Sequence, residues 1–226
     1  MTQTTIRLDI VSDVMCPWCF IGKRRLEACQ VLVPNIDIDI FWRPFLLDPT
    51  IPGEGMDRQT YLDRKFGPGQ AREIYARIAA AGKDVGLDFN FEAIAKSPST
   101  INAHRLIGWS KDAGCQNEVV ERLFQLYFLE GKDIGDIELL VSVAVECGMS
   151  AHQVSERLKG DKDASSVRRQ IALAQAMGVT GVPAFIFDST YLVSGAQSPE
   201  ILADVAHKAA SANKGEAPKD IFAAEA

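Results

Sequence analysis

The chain has 226 residues, 47% of them apolar, enough for one large domain or two small ones around a sizeable core. Its 24 basic and 30 acidic residues leave a net charge of −6, and the basic ones are scattered, which argues against nucleic acid as the main partner and against a polybasic membrane anchor. No apolar run approaches the roughly 18 residues of a membrane span. The stretch Met1-Thr2-Gln3-Thr4-Thr5 lacks the positive region of an export signal, so the expected compartment is the cytoplasm.

The predicted elements begin with a strand over 6–11, where apolar and polar residues alternate. A helix follows Cys16, because Cys19, Gly22, Leu26, Cys29 and Val33 recur on one stripe and Pro17 suits a first helical position. A second alternating run, 36–42, completes a strand–helix–strand unit with a parallel pair. Pro49, Pro52, Gly53 and Gly55 mark a linker. From 57 to 159 the pattern is helical: helices are expected over 70–81, from Ser99 as N-cap through His104, over 118–129 and over 138–147, with a short extended piece at 87–91. A helix over 163–177 then leads through Gly181-Val182-Pro183 to two short strands, 184–187 and 191–193, joined by a hairpin. Ser198 and Pro199 open a last helix to about 212. The order is β-α-β, helical insertion, α-β-β-α. That is an α/β fold in which residues 1–50 and 160–213 form one discontinuous domain, 51–159 a helical insertion and 214–226 a flexible tail.

The chemistry centres on Cys16-Pro17-Trp18-Cys19. Two thiols two residues apart close a disulfide across one turn. At a helix N-terminus the first of them is favoured as thiolate. Cys16 is therefore expected to be the exposed, attacking thiol, and Cys19, on the buried stripe, the resolving one. The competing reading is half of a zinc site, but neither a second Cys-x-x-Cys nor a paired histidine motif follows, so a redox pair is preferred and no metal is expected. Asp9 and Asp13 are candidates for a buried acid that moves the Cys19 proton. Lys23, Arg24 and Arg25 read as a solvated basic face. Trp18 reads as a contact surface for substrate. Cys29 and Cys147 fall on apolar helical faces, and Cys115 falls in a loop between helices where it is expected to be exposed.

The motifs Cys16-Pro17-Trp18-Cys19-Phe20-Ile21-Gly22-Lys23, Ala103-His104-Arg105-Leu106, Gly181-Val182-Pro183-Ala184-Phe185 and Gly195-Ala196-Gln197 occur in that order. Together they resemble the DsbA family of thioredoxin-fold proteins, and within it the FrnE-like branch, over about residues 5 to 210. The resemblance implies a thioredoxin-like fold with a helical insertion, and disulfide exchange at Cys16 and Cys19. It also implies a cis Val182–Pro183 bond facing the two thiols, beside which an extended substrate chain adds as a strand. The residues expected to meet substrate are Pro17, Trp18, Val182, Pro183 and His104. Substrates would be protein or low-molecular-weight thiols and disulfides, with glutathione as a possible co-substrate and no other cofactor. Either a monomer or a homodimer fits. The same superfamily holds 2-hydroxychromene-2-carboxylate isomerases and kappa-class glutathione transferases, which use a serine near the start of the first helix. This chain departs from them with cysteines at 16 and 19, which leaves a glutathione-dependent isomerase or transferase as the alternative. A non-enzymatic binding protein that uses an apolar cleft is a third reading.

Overall fold

A computed structural model describes residues 4–212 and 220–222. β1 (Thr4–Ser12) lies at the centre of a four-stranded sheet, with β2 (Ile36–Pro44) parallel on one side and β5 (Ala184–Phe187) antiparallel on the other. β6 (Tyr191–Ser194) closes the far edge, giving the order β2-β1-β5-β6. β1 is central because its second half is buried on both faces, with Ile6, Leu8, Ile10 and Val11 all inside. The β5–β6 hairpin turns through Asp188, Ser189 and Thr190, the first two in the left-handed region at φ 45° and 57°, and the Thr190 amide closes the turn on the Phe187 carbonyl at 3.0 Å. The Asp188 carboxylate accepts the Arg7 amide at 2.7 Å and so ties this turn to β1.

α1 (Pro17–Leu32) and α9 (Pro199–Ala212) pack against each other over the sheet. On α1 the buried stripe includes Cys19, Gly22, Leu26 and Cys29, as its spacing predicts. Between β2 and α8 (Ala164–Ala176) lie six helices: α2 (Arg58–Phe66), α3 (Ala71–Lys83), α4 (Ile101–Asp112), α5 (Gln116–Phe128), α6 (Ile137–Glu146) and α7 (Ala151–Lys159). α5 is fastened to α1 by stacked aromatic rings, with the Phe20 and Phe124 centroids 5.0 Å apart and 10° from parallel. Among the described residues no helix is long and apolar enough to cross a membrane.

Several expectations change. Helices α2 and α7 have no place among the predicted elements. Each is nine residues long and buries only two of its own side chains, Arg58 and Tyr61 in one, Val154 and Leu158 in the other, too few to mark a period. The predicted extended piece at 87–91 is not a strand: it is irregular and ends in a 3-10 turn at Phe91–Ala93. The only short ladder nearby pairs β3 (Met56–Asp57) with β4 (Lys96–Ser97). The N-cap position of α4 is held by Thr100 rather than Ser99, and its side chain makes no capping bond. Within the stretch read as a flexible tail, Asp220–Phe222 are docked: the Asp220 carboxylate meets Arg7 at 2.9 Å and Arg43 at 2.8 Å, and Phe222 is buried. The rest of that stretch, 214–219 and 223–226, lies outside the described residues.

Candidate active site

The site forms where β1 ends. Ser12 leaves the sheet, the Asp13 carbonyl accepts the Cys16 amide at 2.9 Å, and this tight turn aims Cys16 at the start of α1. Cys16 keeps an extended backbone as N-cap, and Pro17 holds the first helical turn, where its missing N–H is not needed. The Asp13 carboxylate fixes the turn from inside. It accepts the Met15 amide at 3.3 Å and, across the fold, the Leu47 amide at 2.7 Å.

Cys16 and Cys19 are both free thiols. The Cys16 sulfur lies 3.6 Å from the Val182 carbonyl oxygen, and the Val182–Pro183 bond is cis. Pro183 reaches α1 because residue 22 is glycine: a Cβ there would stand 3.0 Å from Pro183 Cγ and 3.2 Å from Phe185 Cζ. Burial pushes the Cys19 thiol well above the ordinary cysteine range. A hydrogen bond to Cys16 and the charge of Cys16 add to that, while Ser12 and the Asp13 backbone act against it. Cys29 is pushed up to about 11 by burial. Such a thiol is inert at neutral pH.

Cys16 corrects one expectation. It is not the exposed member of the pair: Cys16 is 3% and Cys19 1% exposed, whereas Trp18 between them is 38% exposed. Packing of the Val182–Pro183 loop on the helix start covers Cys16, which a helical stripe alone does not foresee. Cys115 is also buried rather than exposed, at the N-cap of α5. His104 corrects another. It is buried, its Nε2 is 2.8 Å from the Phe45 carbonyl oxygen and 3.4 Å from the Asp13 carboxylate, so it supports the turn from beneath and offers no substrate surface. Pro17 and Pro183 are buried and Val182 half-buried, which leaves Trp18 as the exposed member of the expected contact set.

The basic residues of α1 are not a solvated face. Lys23 is buried and pairs with Glu27 at 2.5 Å and with Glu121 on α5 at 2.8 Å. Arg24 pairs with the same two acids and lies over the Phe20 ring, and Arg25 donates to the Ala196 carbonyl. Asp9, weighed as the acid beneath the thiols, is instead bound to Arg7 at 2.7 Å and Arg43 at 2.6 Å. Asp13 is the carboxylate at the turn.

The insertion contributes groups that no sequence pattern singled out. Lys65 on α2 donates to the Tyr61 hydroxyl at 2.8 Å and to the Leu47 carbonyl at 3.4 Å. Burial holds its ammonium below the usual lysine range, while Asp48, Cys16 and Asp13 pull the other way. Tyr75 on α3 is likewise pushed up by burial and by Cys16, against the pull of Arg58. Both therefore lie within electrostatic reach of Cys16. A polar α2 with few buried residues carried no signal of this.

A cleft of about 440 Å³ runs beside the turn, from Met15 past Leu46 and Ile51 to Ile171. Among the described residues no three His, Cys, Asp or Glu side chains gather into a metal cage. The arrangement suits thiol chemistry: one sulfur at a helix N-terminus under a carbonyl, and a second sulfur behind it.

Comparison with known proteins places this geometry. A probable DsbA oxidoreductase from Streptomyces coelicolor shares the fold with a TM-score of 0.85 and 29% identity, covering 96% of this chain and 94% of that one. The uncharacterized protein YwbO of Bacillus subtilis is 29% identical over 200 residues, 87% of this chain and 94% of its own. A 2-hydroxychromene-2-carboxylate isomerase shares the fold alone, with a TM-score of 0.65 and 13% identity over 89% of this chain and 95% of that one. The DSBA-like thioredoxin domain model matches residues 7–206, and the chain belongs to that family.

Proposed function

We propose that the chain is a thiol–disulfide oxidoreductase. One observation carries this reading: two unbridged thiols at a helix N-terminus, the outer one against the Val182 carbonyl and the inner one buried behind it. Cys16 as thiolate attacks a substrate disulfide R–S–S–R′. The S–S bond breaks, R′–S⁻ leaves with the electron pair and takes up a proton, and Cys16 holds R in a mixed disulfide. Cys19 then loses its proton and attacks the Cys16 sulfur. R–S⁻ leaves, and a Cys16–Cys19 disulfide remains. The substrate is reduced by two electrons and the pair oxidised by two. The reverse sequence oxidises a client dithiol.

The buried Cys16 favours partners that present a disulfide on a slim, extended segment, lying along Trp18 and the Val182 backbone. Protein and low-molecular-weight disulfides both qualify, with glutathione as the recycling thiol in a reducing compartment. The isomerase alternative rests on shared fold alone.

The test is insulin or glutathione-disulfide reduction by purified protein. Cys16→Ser is expected to abolish turnover, and Cys19→Ser to trap the mixed disulfide on Cys16. Undiminished turnover by Cys16→Ser would falsify the proposal.

A further inference from the structure

One cavity plays no part in the exchange chemistry. It has a volume of about 350 Å³ and lies between β2, α4, α7 and the start of α8, beside Asp220 and Phe222. That is within the size range of small-molecule sites. Neither Cys16 nor Cys19 lines it, and Trp18 and Pro183 do not either. Its wall is mixed: Trp42 and Trp109 bring rings, while Arg157, Ser166 and Gln170 bring hydrogen-bond donors.

The charges of this wall do not balance. Arg105 on α4 is 2% exposed, yet its guanidinium makes no ion pair among the described residues. Two of its nitrogens tie α4 to its surroundings: Nη1 donates to the Asn102 side chain at 2.9 Å and Nη2 to the Arg157 carbonyl at 2.6 Å. Its Nε has no partner. A neutral amide can make bonds of that kind, so the tie does not account for the charge. Burial holds Arg105 below the usual arginine range, and Arg157 pushes the same way, against the pull of Asp163 and Asp161. An arginine remains charged through such a shift. Arg157 adds a second guanidinium, and the two lie 5.1 Å and 4.1 Å from the centre of the Trp109 ring.

The carboxylates nearby are already engaged. Asp163, the N-cap of α8, makes no capping bond and instead accepts from Trp109 Nε1 at 3.0 Å and from Arg157 Nη2 at 3.2 Å. Asp220 meets Arg7, Arg43 and Lys111. Asp112 is exposed to solvent. Arg43, Arg105, Lys111 and Arg157 therefore face three carboxylates, which leaves an excess of positive charge around the cavity. Arg157 is about half exposed and has only Nη2 engaged among the described residues. Ser166 and Gln170 stand one turn apart on the same face of α8, and neither side chain makes a hydrogen bond among the described residues.

We propose that this cavity binds a small organic anion, its carboxylate or phosphate held by Arg157, Ser166 and Gln170, its apolar body against the rings of Trp42 and Trp109. Arg105 acts through its charge, because its Nε is enclosed. The site stands apart from the thiols and does not depend on the exchange reading.

The chain has three tryptophans, and in Trp18→Phe the two that remain both line the cavity. The experiment titrates this full-length variant with phenyl phosphate, benzoate and inorganic phosphate in low-salt buffer. Tryptophan fluorescence reads binding, and calorimetry reads stoichiometry. At least one of the two organic anions is expected to bind once per chain with a Kd below about 1 mM, and more weakly as salt is added. The stronger of the two identifies the anionic group. Arg157→Gln keeps the main-chain carbonyl that Arg105 holds but removes a charged donor, and is expected to weaken binding by about tenfold or more. Arg105→Gln is expected to weaken it by about threefold or more. A purely structural role for these arginines would lower stability and leave the affinity of the folded protein in place. Unchanged affinity in both variants overturns the proposal, and so does the absence of saturable binding of every probe up to about 10 mM. Inorganic phosphate bound as tightly as phenyl phosphate overturns the role of the two rings. Disulfide exchange at Cys16 is measured separately and is untouched by any of these results.

Discussion

The Arg7–Asp9 end of β1 and its Ser12–Asp13 end are both polar and both buried, but they handle hydrogen bonds differently. At the first end the charges close on one another. Asp9 takes Arg7 through two bonds, at 2.7 and 3.0 Å, and Arg43 at 2.6 Å. Asp220 meets Nη2 of both arginines, and the Arg7 guanidinium also lies 3.8 Å over the Phe41 ring. At the second end the Ser12 hydroxyl has no hydrogen-bond partner among the described residues and two thiols are left unbridged. A fully paired polar network fixes a shape, whereas groups left short of partners are free to exchange protons and electrons. One strand therefore anchors a closed ion network along its length and leads into reactive groups where it ends, with Asp9 and Ser12 only three residues apart.

The largest effect should come from breaking the closed end. Asp9→Asn leaves two buried guanidinium groups without their shared carboxylate, and is expected to cost about 3–5 kcal/mol in denaturant unfolding. Adduct formation at Cys16 in the folded fraction should be unchanged. A cost below about 1 kcal/mol, or a lost reaction in folded protein, would erase the contrast between the ends.

Gly22→Ala probes the reactive end with a smaller change. The new Cβ presses on Pro183 at 3.0 Å. Overpacking costs about 1–3 kcal/mol, and the helix gains up to about 1 kcal/mol from alanine over glycine, so the net loss of stability should be modest. The rate of adduct formation should fall more than stability does, because the loop over Cys16 moves. Equal rates in the two proteins would show that Pro183 can shift without consequence.

The smallest effect concerns Asp220. Burial alone would raise its carboxyl, but Arg43, Arg7 and Lys111 outweigh that and hold it below the usual carboxylate range. A depressed acid contributes stability above its unfolded value, near about 3.9, and loses it as pH falls through the lower folded value. Amide exchange at Ile221 and Phe222 should therefore be slow at pH 6 and accelerate only below about pH 4. Asp220→Asn should speed it at every pH, for about 1 kcal/mol or less. Loss of protection already at pH 5 would mean that this carboxylate does not hold the segment.

What the sequence determined by itself was local. The alternation of 6–11 and 36–42, the stripe on α1 and Pro17 after Cys16 placed a Cys-x-x-Cys pair at a strand-to-helix junction, because periodicity and capping are read within one element. The cis Val182–Pro183 bond followed from resemblance, since nothing in the spacing around it distinguishes cis from trans. What only the tertiary structure decided was everything set by distant partners. Arg24 meets Glu121 97 positions away, His104 meets Phe45 59 away, and Arg43 meets Asp220 177 away. Such pairs decided that Lys23 is buried, that Asp9 serves the ion network, that His104 lies beneath the turn and that Cys16 is covered. A side chain's charge and size are written in the chain, but its burial and its partner depend on which elements pack against it, and no local pattern carries that information.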